Sequence, residues 1–324
     1  MKLVIHYKKD LAIFVKDEMK ILASDFKELA PGTGIVEGDY KNLIVNSGLL
    51  EKVSIFIGYE KIDAFKKISF KEWIDSDDSF KIECSNREVC IELGRIVQDN
   101  TNTKVLLENP DKVLKAEMIN DKILLCLELL SSNLSSRGYS IANTEFVTAD
   151  VARAMVDFSG WNNKGVLLDP FCHEGYIIIE ACLKSIGVGV GYFKSKDLNF
   201  NVKEPRIKGL KSELECYSND MKDLKFAKQH AALAKIFKYL KFGCHDLKDL
   251  DYTMKEDSVD FVITALPKNT SMEELFFQLE YIMKKEGVVV LLTGQELDYH
   301  ELYDFKLINE TKIMNKSLFK LVKK

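Results

Sequence analysis

With 324 residues, 46% of them hydrophobic and 30% charged, the chain has the length of two ordinary domains and the composition of a globular protein. A net charge of −4 excludes a globally basic nucleic-acid binder and leaves only a local cationic patch for that role. No run of about eighteen apolar residues and no small-residue cleavage site occur, which predicts a cytoplasmic protein without membrane span or signal peptide; seven cysteines at 84, 90, 126, 172, 182, 216 and 244, with no Cys-x-x-Cys pair, predict reduced thiols and neither a disulfide frame nor a metal site.

Taken in order, KLVIHYK (2–8) reads as a strand, and Asp10 is placed to cap a helix carrying Leu11, Phe14, Val15, Met19 and Leu22 on one face. GIVEGDY, NLIVNSG and KVSIFIGYEKI read as further strands. Together these predict a small α/β layer of ferredoxin-like size over residues 1–78, punctuated by the turn cluster Asp75-Ser76-Asp77-Asp78. Beyond it, SFKIECSN predicts a strand and REVCIELGRIV an amphipathic helix. KVLLENPD, VLKAEMI and ILLCLELL predict strands, the last two joined across Asn120-Asp121. Residues 79–131 therefore predict one helix on a mostly antiparallel sheet, followed by a polar connector to 146.

From Thr148 the pattern changes. A helix through Val151, Met155 and Phe158 stops at Gly160, and strands then alternate with helices: GVLLDPF, helix 176–186, LECYS, helix 221–236, YLKFGCHD, VDFVITAL, helix 272–285, GVVVLLTG. That alternation predicts a parallel sheet. Two final strands, FKLINETKIM and SLFKLVKK, are separated only by Asn315-Lys316, too short for a helical crossover, so they are predicted antiparallel. Residues 187–212 carry no evident element. The predicted fold class is α/β, with a third region, 147–324, of Rossmann-like type.

The stretch LDPFCHEGYIIIEA (168–181) is an apolar strand, a tight turn and the opening of a helix. It resembles the S-adenosylmethionine loop of RNA methyltransferases, DPFCGSGTxxIEA, with His173-Glu174-Gly175-Tyr176 where that family has Gly-Ser-Gly-Thr. DFVITALPKN (260–269) aligns without gaps on the family's D-x-I-V-T-(N/D)-P-P-Y-G. TNTKVLLENPDKVLKAEMINDKILLCLEL (101–129) is similar to the THUMP RNA-binding domain. SSRGYS (135–140), VTADVARAMVDFSGW (147–161) and TKIMNKSLFKLVKK resemble the connector, the helix and the C-terminal hairpin of THUMP-bearing tRNA guanine-N2 methyltransferases. The resemblance thus spans nearly the whole chain. It implies a ferredoxin-like subdomain (1–78), a THUMP-like RNA-binding subdomain with linker (79–146) and a class I methyltransferase sheet closed by an antiparallel hairpin (147–324).

The same resemblance implies S-adenosylmethionine as cofactor, over Asp169, Gly175, Asp220 and Asp246, and tRNA as partner, with guanine N2 as the methylated amine. Asp220 serves equally as cap of the helix from Met221, and Asp246 as a loop residue. Arg87, Lys104, Lys112, Lys115 and Arg137 are the candidate phosphate contacts, each against the plain alternative of a solvated charge. At the catalytic motif Leu266, Pro267 and Lys268 stand for Pro-Pro-Tyr, and Ala265 replaces the side-chain acceptor for the amine, a change that costs about 10²-fold or more in rate. Two functions follow: a tRNA methyltransferase, or a tRNA-binding protein without turnover that acts alone or beside an active partner subunit.

Overall fold

The computed structural model describes residues 1–141, 146–297 and 302–324; residues 142–145 of the predicted connector lie outside the described residues. Two compact units result, one of Met1–Lys9, Lys16–Ile44 and Leu50–Asn133, the other of Asp10–Val15, Val45–Leu49 and Leu134–Lys324.

One eight-stranded sheet builds the first unit. Its strands are β1 (Lys2–Tyr7), β2 (Ser24–Ala30), β3 (Thr33–Glu37), β4 (Leu50–Glu60), β5 (Ser79–Cys84), β6 (Lys104–Val105), β7 (Lys112–Ile119) and β8 (Lys122–Glu128), in the order β2-β3-β1-β4-β8-β7-β5-β6. Pairing of β4 with β8 makes residues 1–78 and 79–133 share that sheet. The helices among these segments are α1 (Ala12–Leu22), α2 (Tyr40–Asn46) and α3 (Arg87–Thr101). Asn86 caps α3 by accepting from the Glu88 and Val89 amides, and the helix ends at Asn102 in the left-handed conformation. Its Leu93, Ile96 and Val97 are buried at the helical repeat. At the β7–β8 hairpin Asn120 and Asp121 both take positive φ, 47° and 60°, the geometry a two-residue turn of matching twist needs.

Three expectations fail in this unit. NLIVNSG is helical, not a strand: Asp39 accepts from the Lys41 amide through its carboxylate and from the Leu43 amide through its carbonyl, and Leu43 and Ile44 are buried together. Of KVLLENPD only Lys104–Val105 pairs as strand, because Leu106 and Leu107, 44% and 78% exposed, have no layer to bury them. The sheet around α3 is also less antiparallel than its short strands imply. β5 runs parallel to both β6 and β7, since α3 is long enough to carry the chain back across the sheet.

In the second unit the strands are β9 (Gly165–Asp169), β10 (Ser212–Ser218), β11 (Leu240–Cys244), β12 (Val259–Ala265), β13 (Met283–Thr293), β14 (Phe305–Ile313) and β15 (Lys316–Lys323), in the order β11-β10-β9-β12-β13-β15-β14. The first five strands are parallel, and β15 runs antiparallel to β13 and β14. This is the predicted Rossmann-like sheet with its antiparallel hairpin, although the turn residues are Met314 and Asn315, since Ile313 pairs with Lys316. The helices are α4 (Ala149–Ser159), α5 (Tyr176–Ile186), α6 (Met221–Leu233), the short α7 (Leu250–Thr253) and α8 (Met272–Ile282). α8 ends three residues earlier than predicted, and Val190–Asp197 forms a 3₁₀ helix where no element is evident in the sequence. Leu275, Phe276, Leu279 and Ile282 of α8 are fully buried against Val262, Val289 and Leu291, each worth about 1.5–3 kcal/mol relative to exposure. Among the described residues no single helix is long and apolar enough to cross a membrane.

Candidate functional site

Strand order fixes where this fold offers a crevice. From β9 the chain moves outward to β10 and β11, then returns to the other side of β9 for β12 and β13. The carboxyl ends of β9 and β12 therefore flank the topological switch point, where an open α/β sheet binds its ligands.

Asp169 ends β9. It is fully buried; its Oδ1 accepts from the Thr264 hydroxyl at 2.7 Å and from the Phe171 amide at 3.3 Å, whereas its Oδ2 has no hydrogen-bond partner among the described residues. Burial pushes this carboxyl up to about 6, against the pull of the Thr264 hydroxyl and of His173. The turn that follows closes with the Gly175 amide donating to the Cys172 carbonyl at 2.7 Å. Both His173 (φ 46°) and Gly175 (φ 81°) adopt the left-handed conformation. A Cβ on Gly175 would sit 2.8 Å from the Ala227 Cβ, so the surviving glycine serves the close approach of α5 to α6.

His173 is the decisive side chain. Its Nε2 lies 2.9 Å from the carbonyl oxygen of Ala265 at the end of β12, which makes Nε2–H the donor. Its ring stacks on Phe146 at 4.3 Å and 16°, and only 9% of the residue is exposed. The imidazole thus spans the crevice between β9 and β12. Nδ1 faces Asp223 at 4.0 Å, whose carboxyl burial pushes up. Beside it, Glu174 places a buried Oε2 without a hydrogen-bond partner among the described residues, while its carbonyl accepts from His230 Nδ1 at 2.9 Å.

The remaining predicted cofactor residues serve the backbone. Asp220 caps α6 by accepting from the Lys222 amide at 2.7 Å, and its own amide is held by Ser218 Oγ at 3.1 Å. Asp246 accepts from the Leu247 amide at 3.0 Å and starts a 3₁₀ turn. At the catalytic motif Leu266 is 4% exposed and belongs to the core, and the Pro267 carbonyl accepts from the Thr270 hydroxyl at 3.0 Å. Pro267 and Lys268 line a cleft of about 950 Å³ with Phe146, Thr293, Gln295 and Lys316.

Of the predicted phosphate contacts, Arg137 is corrected outright. Its side chain is 0% exposed and pairs with Glu180 at 2.8 Å, and each terminal nitrogen donates to a carbonyl, of Leu134 and of Gly48. Burial opposes its charge, but the neighbouring Glu180 carboxylate holds the guanidinium protonated. The sheet register separates the other four. Lys104 and Lys112 pair with Ser79 and Phe80 at the start of β5, whereas Lys115 pairs with Glu83 near its end, and Arg87 opens α3 just beyond. Lys115 is committed to Glu83 and Glu128 at 3.1 and 3.0 Å; despite burial, these carboxylates hold its ammonium charged well above the usual range. Lys112 lies 3.8 Å from Asp78. Arg87 and Lys104 are exposed.

Residues 141–321 match the family profile described as UPF0020, RMKL-like, methyltransferase domain. The chain belongs to this family. A relative, the tRNA (guanine(6)-N2)-methyltransferase of Methanocaldococcus jannaschii, is 25% identical over 287 residues, covering 75% of each chain. TrmN from Thermus thermophilus superposes with a TM-score of 0.76 at 16% identity, over 100% of this chain and 99% of the other. SMU.472, a putative methyltransferase complexed with SAH, superposes with a TM-score of 0.80 at 14% identity, over 98% and 97%. These two structures share the fold.

S-adenosylmethionine is the cofactor implied for such a family, and three side chains at this switch point depart from what a methyl donor's loop would present. The imidazole of His173 bridges the crevice, a second carboxylate, Glu174, has entered the turn, and the Ser218 hydroxyl is used within its own loop. The sequence carried part of this signal: a histidine in a turn that needs positive φ is visible, its reach to Ala265 is not. Phe146, Thr264, Asp223 and Lys316 were not singled out: Thr264 is marked as the threonine of the aligned motif, whereas nothing in the local sequence marks the other three.

Proposed function

We propose that the protein is a tRNA-binding member of this RNA methyltransferase lineage whose methyl-transfer site is closed from within. The observation that carries the reading is the His173 hydrogen bond to the Ala265 carbonyl, 2.9 Å across the switch point. Ala265 offers no side-chain acceptor for an amine, and the Pro267 carbonyl is already engaged by Thr270. Removing one directional hydrogen bond at such a site costs about 10²-fold or more in rate. Support for tRNA comes from the activity for which the Methanocaldococcus relative is named and from the THUMP-like text of residues 101–129. In this reading residues 79–146 form the RNA-docking part, with Arg87 and Lys104 as its exposed cations, and 147–324 the methyltransferase-like part. The protein acts alone or beside an active partner subunit.

One observation favours the alternative, methyl transfer by this chain: at the end of β9 Asp169 keeps a buried oxygen without a hydrogen-bond partner among the described residues, an acceptor not used by the fold itself. Calorimetric titration of the full chain with S-adenosylhomocysteine decides between them, together with transfer of label from S-adenosylmethionine to tRNA. The expected result is no saturable binding and no transfer, with tRNA bound in a strongly salt-dependent manner. A dissociation constant in the low micromolar range, or transfer abolished by Pro267→Ala, establishes the enzyme instead.

A further inference from the structure

The cleft beyond β12 and β13 is lined by Pro267 and Lys268 of the catalytic motif, but its pair of lysines is a chemistry that the methyl-transfer reading does not use. Its volume of about 950 Å³ is ample for a nucleotide-sized ligand. Lys268 reaches it from the loop after β12 and Lys316 from the start of β15. Asn269, Thr293, Gly294 and Gln295 supply the polar wall, and the partly exposed ring of Phe146 an aromatic one. Among the described residues no carboxylate lines the cleft and neither lysine forms an ion pair. Burial lowers the affinity of Lys316 for its proton, and the Lys268 charge works in the same direction, so the two ammonium groups feel one another. Two like charges facing one half-enclosed space are unfavourable until an anion enters. Phosphate oxygens accept charge-assisted hydrogen bonds from both at once.

We infer that this cleft binds the phosphate of a nucleotide, held between Lys268 and Lys316, with the nucleobase against the Phe146 wall. The cation at position 268 then has a use of its own, in place of an aromatic face for a substrate base. This deepens the tRNA-binding reading, on which only the choice of RNA as the source of the nucleotide rests.

The test compares guanosine 5′-monophosphate with guanosine on the full chain by calorimetry, since the two differ only in the phosphate. Binding of the monophosphate at least about tenfold tighter is expected, the effect of one or two hydrogen bonds to charged donors. Lys268→Met with Lys316→Met removes that advantage, and Lys268→Arg with Lys316→Arg keeps it. Equal affinity for nucleoside and nucleotide, an advantage that survives the methionine pair, or no binding of any phosphate-bearing probe overturns the inference. Both lysines reach solvent, and thermal melts of the variants verify that they fold. A trinucleotide with and without 5′-phosphate identifies the source: preference for the phosphorylated RNA over the monophosphate supports an RNA end, the reverse a free nucleotide. Loss of tRNA binding with monophosphate binding intact refutes the tRNA reading and leaves the cleft assignment standing.

Discussion

Replacing Arg137 with Met is expected to unfold the second unit far more readily, although an arginine in a polar connector reads as a surface charge. Its guanidinium donates to Glu180 Oε1 at 2.8 Å, the Leu134 carbonyl at 2.8 Å and the Gly48 carbonyl at 2.7 Å, and Tyr139 donates to the same Glu180 oxygen at 2.7 Å. Both charged side chains are 0% exposed. Methionine leaves the buried Glu180 charge with only the more distant Arg153 guanidinium, 4.0 Å from Oε2, and two carbonyls without these donors; breaking a buried pair costs about 3–5 kcal/mol, and Arg153 places this one toward the lower end. That is a large share of the roughly 5–15 kcal/mol that holds a domain together. Removing both charges is milder: Arg137→Met with Glu180→Leu is expected to cost less than the single substitution, since the desolvation of the charges disappears with the pair, while Tyr139 and the two carbonyls keep the double variant below the parent. Trp161 lies in the second unit and Trp73 in the first, so denaturant titration by tryptophan fluorescence in a Trp73→Phe background reports the unit concerned. A single substitution costing under about 1 kcal/mol, or a double substitution worse than the single, refutes this account. The result bears on function as well, because weaker tRNA binding by an Arg137 variant then reports damage to the fold.

Three further outcomes follow from the geometry. Burial raises Asp169 from 3.8 to about 6, so the folded state holds this proton more tightly; the associated stability is full below about pH 4 and is lost as pH rises through 6, on the order of 3 kcal/mol. Denaturation midpoints from pH 4 to 7 should therefore fall for the parent relative to Asp169→Asn, and a relative rise contradicts the assignment. A Cβ on Gly138 would lie 2.1 Å from the Phe193 carbonyl oxygen, so Gly138→Ala is expected to cost at least about 1–3 kcal/mol through forced displacement; a melting temperature unchanged from the parent shows that the contact yields freely. In a double-mutant cycle, Ala265→Asn and His173→Gly should couple by about 0.5–3 kcal/mol, because residues in direct contact are not additive. Additive costs mean that the side chains at 173 and 265 act independently, since the Ala265 carbonyl itself is present in both backgrounds.

Much of the second unit was legible because its strands are apolar runs separated by helices, and that pattern reports burial on both faces of a parallel sheet. The hairpin of β14 and β15 was legible from chain length alone. In the first unit the signal was weaker. β2 is mostly exposed and shows no alternation, and NLIVNSG has the apolar density of a strand but is turned into a helix by Asp39. At the site, the sequence identified the turn after β9 and the loop after β12 separately. That His173 joins them is a contact 92 residues apart in the chain, and no local pattern encodes it. Arg137 was misread for a related reason. Its burial depends on Glu180, one helix further on, and on carbonyls that carry no side-chain signature.

Framework and site are constrained by different physics. Each buried residue of β9, β12 and α8 touches several neighbours in a close-packed interior, where a change of even one methylene is felt. The lineage of the sheet therefore remains visible in its apolar residues. The loops at the switch point are held less tightly by the chain, and in a ligand-binding protein the ligand itself completes their packing. Where no ligand is required, the crevice must be filled by the chain, and an imidazole that stacks on Phe146 and bonds to Ala265 fills it. The same reasoning separates the two features of this unit. His173 resolves an unsatisfied space, whereas Lys268 and Lys316 leave one, since their like charges bring no internal compensation among the described residues. Closure at β9 and β12 together with an open, cationic cleft at β12 and β13 is the arrangement on which both proposals rest, loss of the methyl donor at the first and a phosphate at the second.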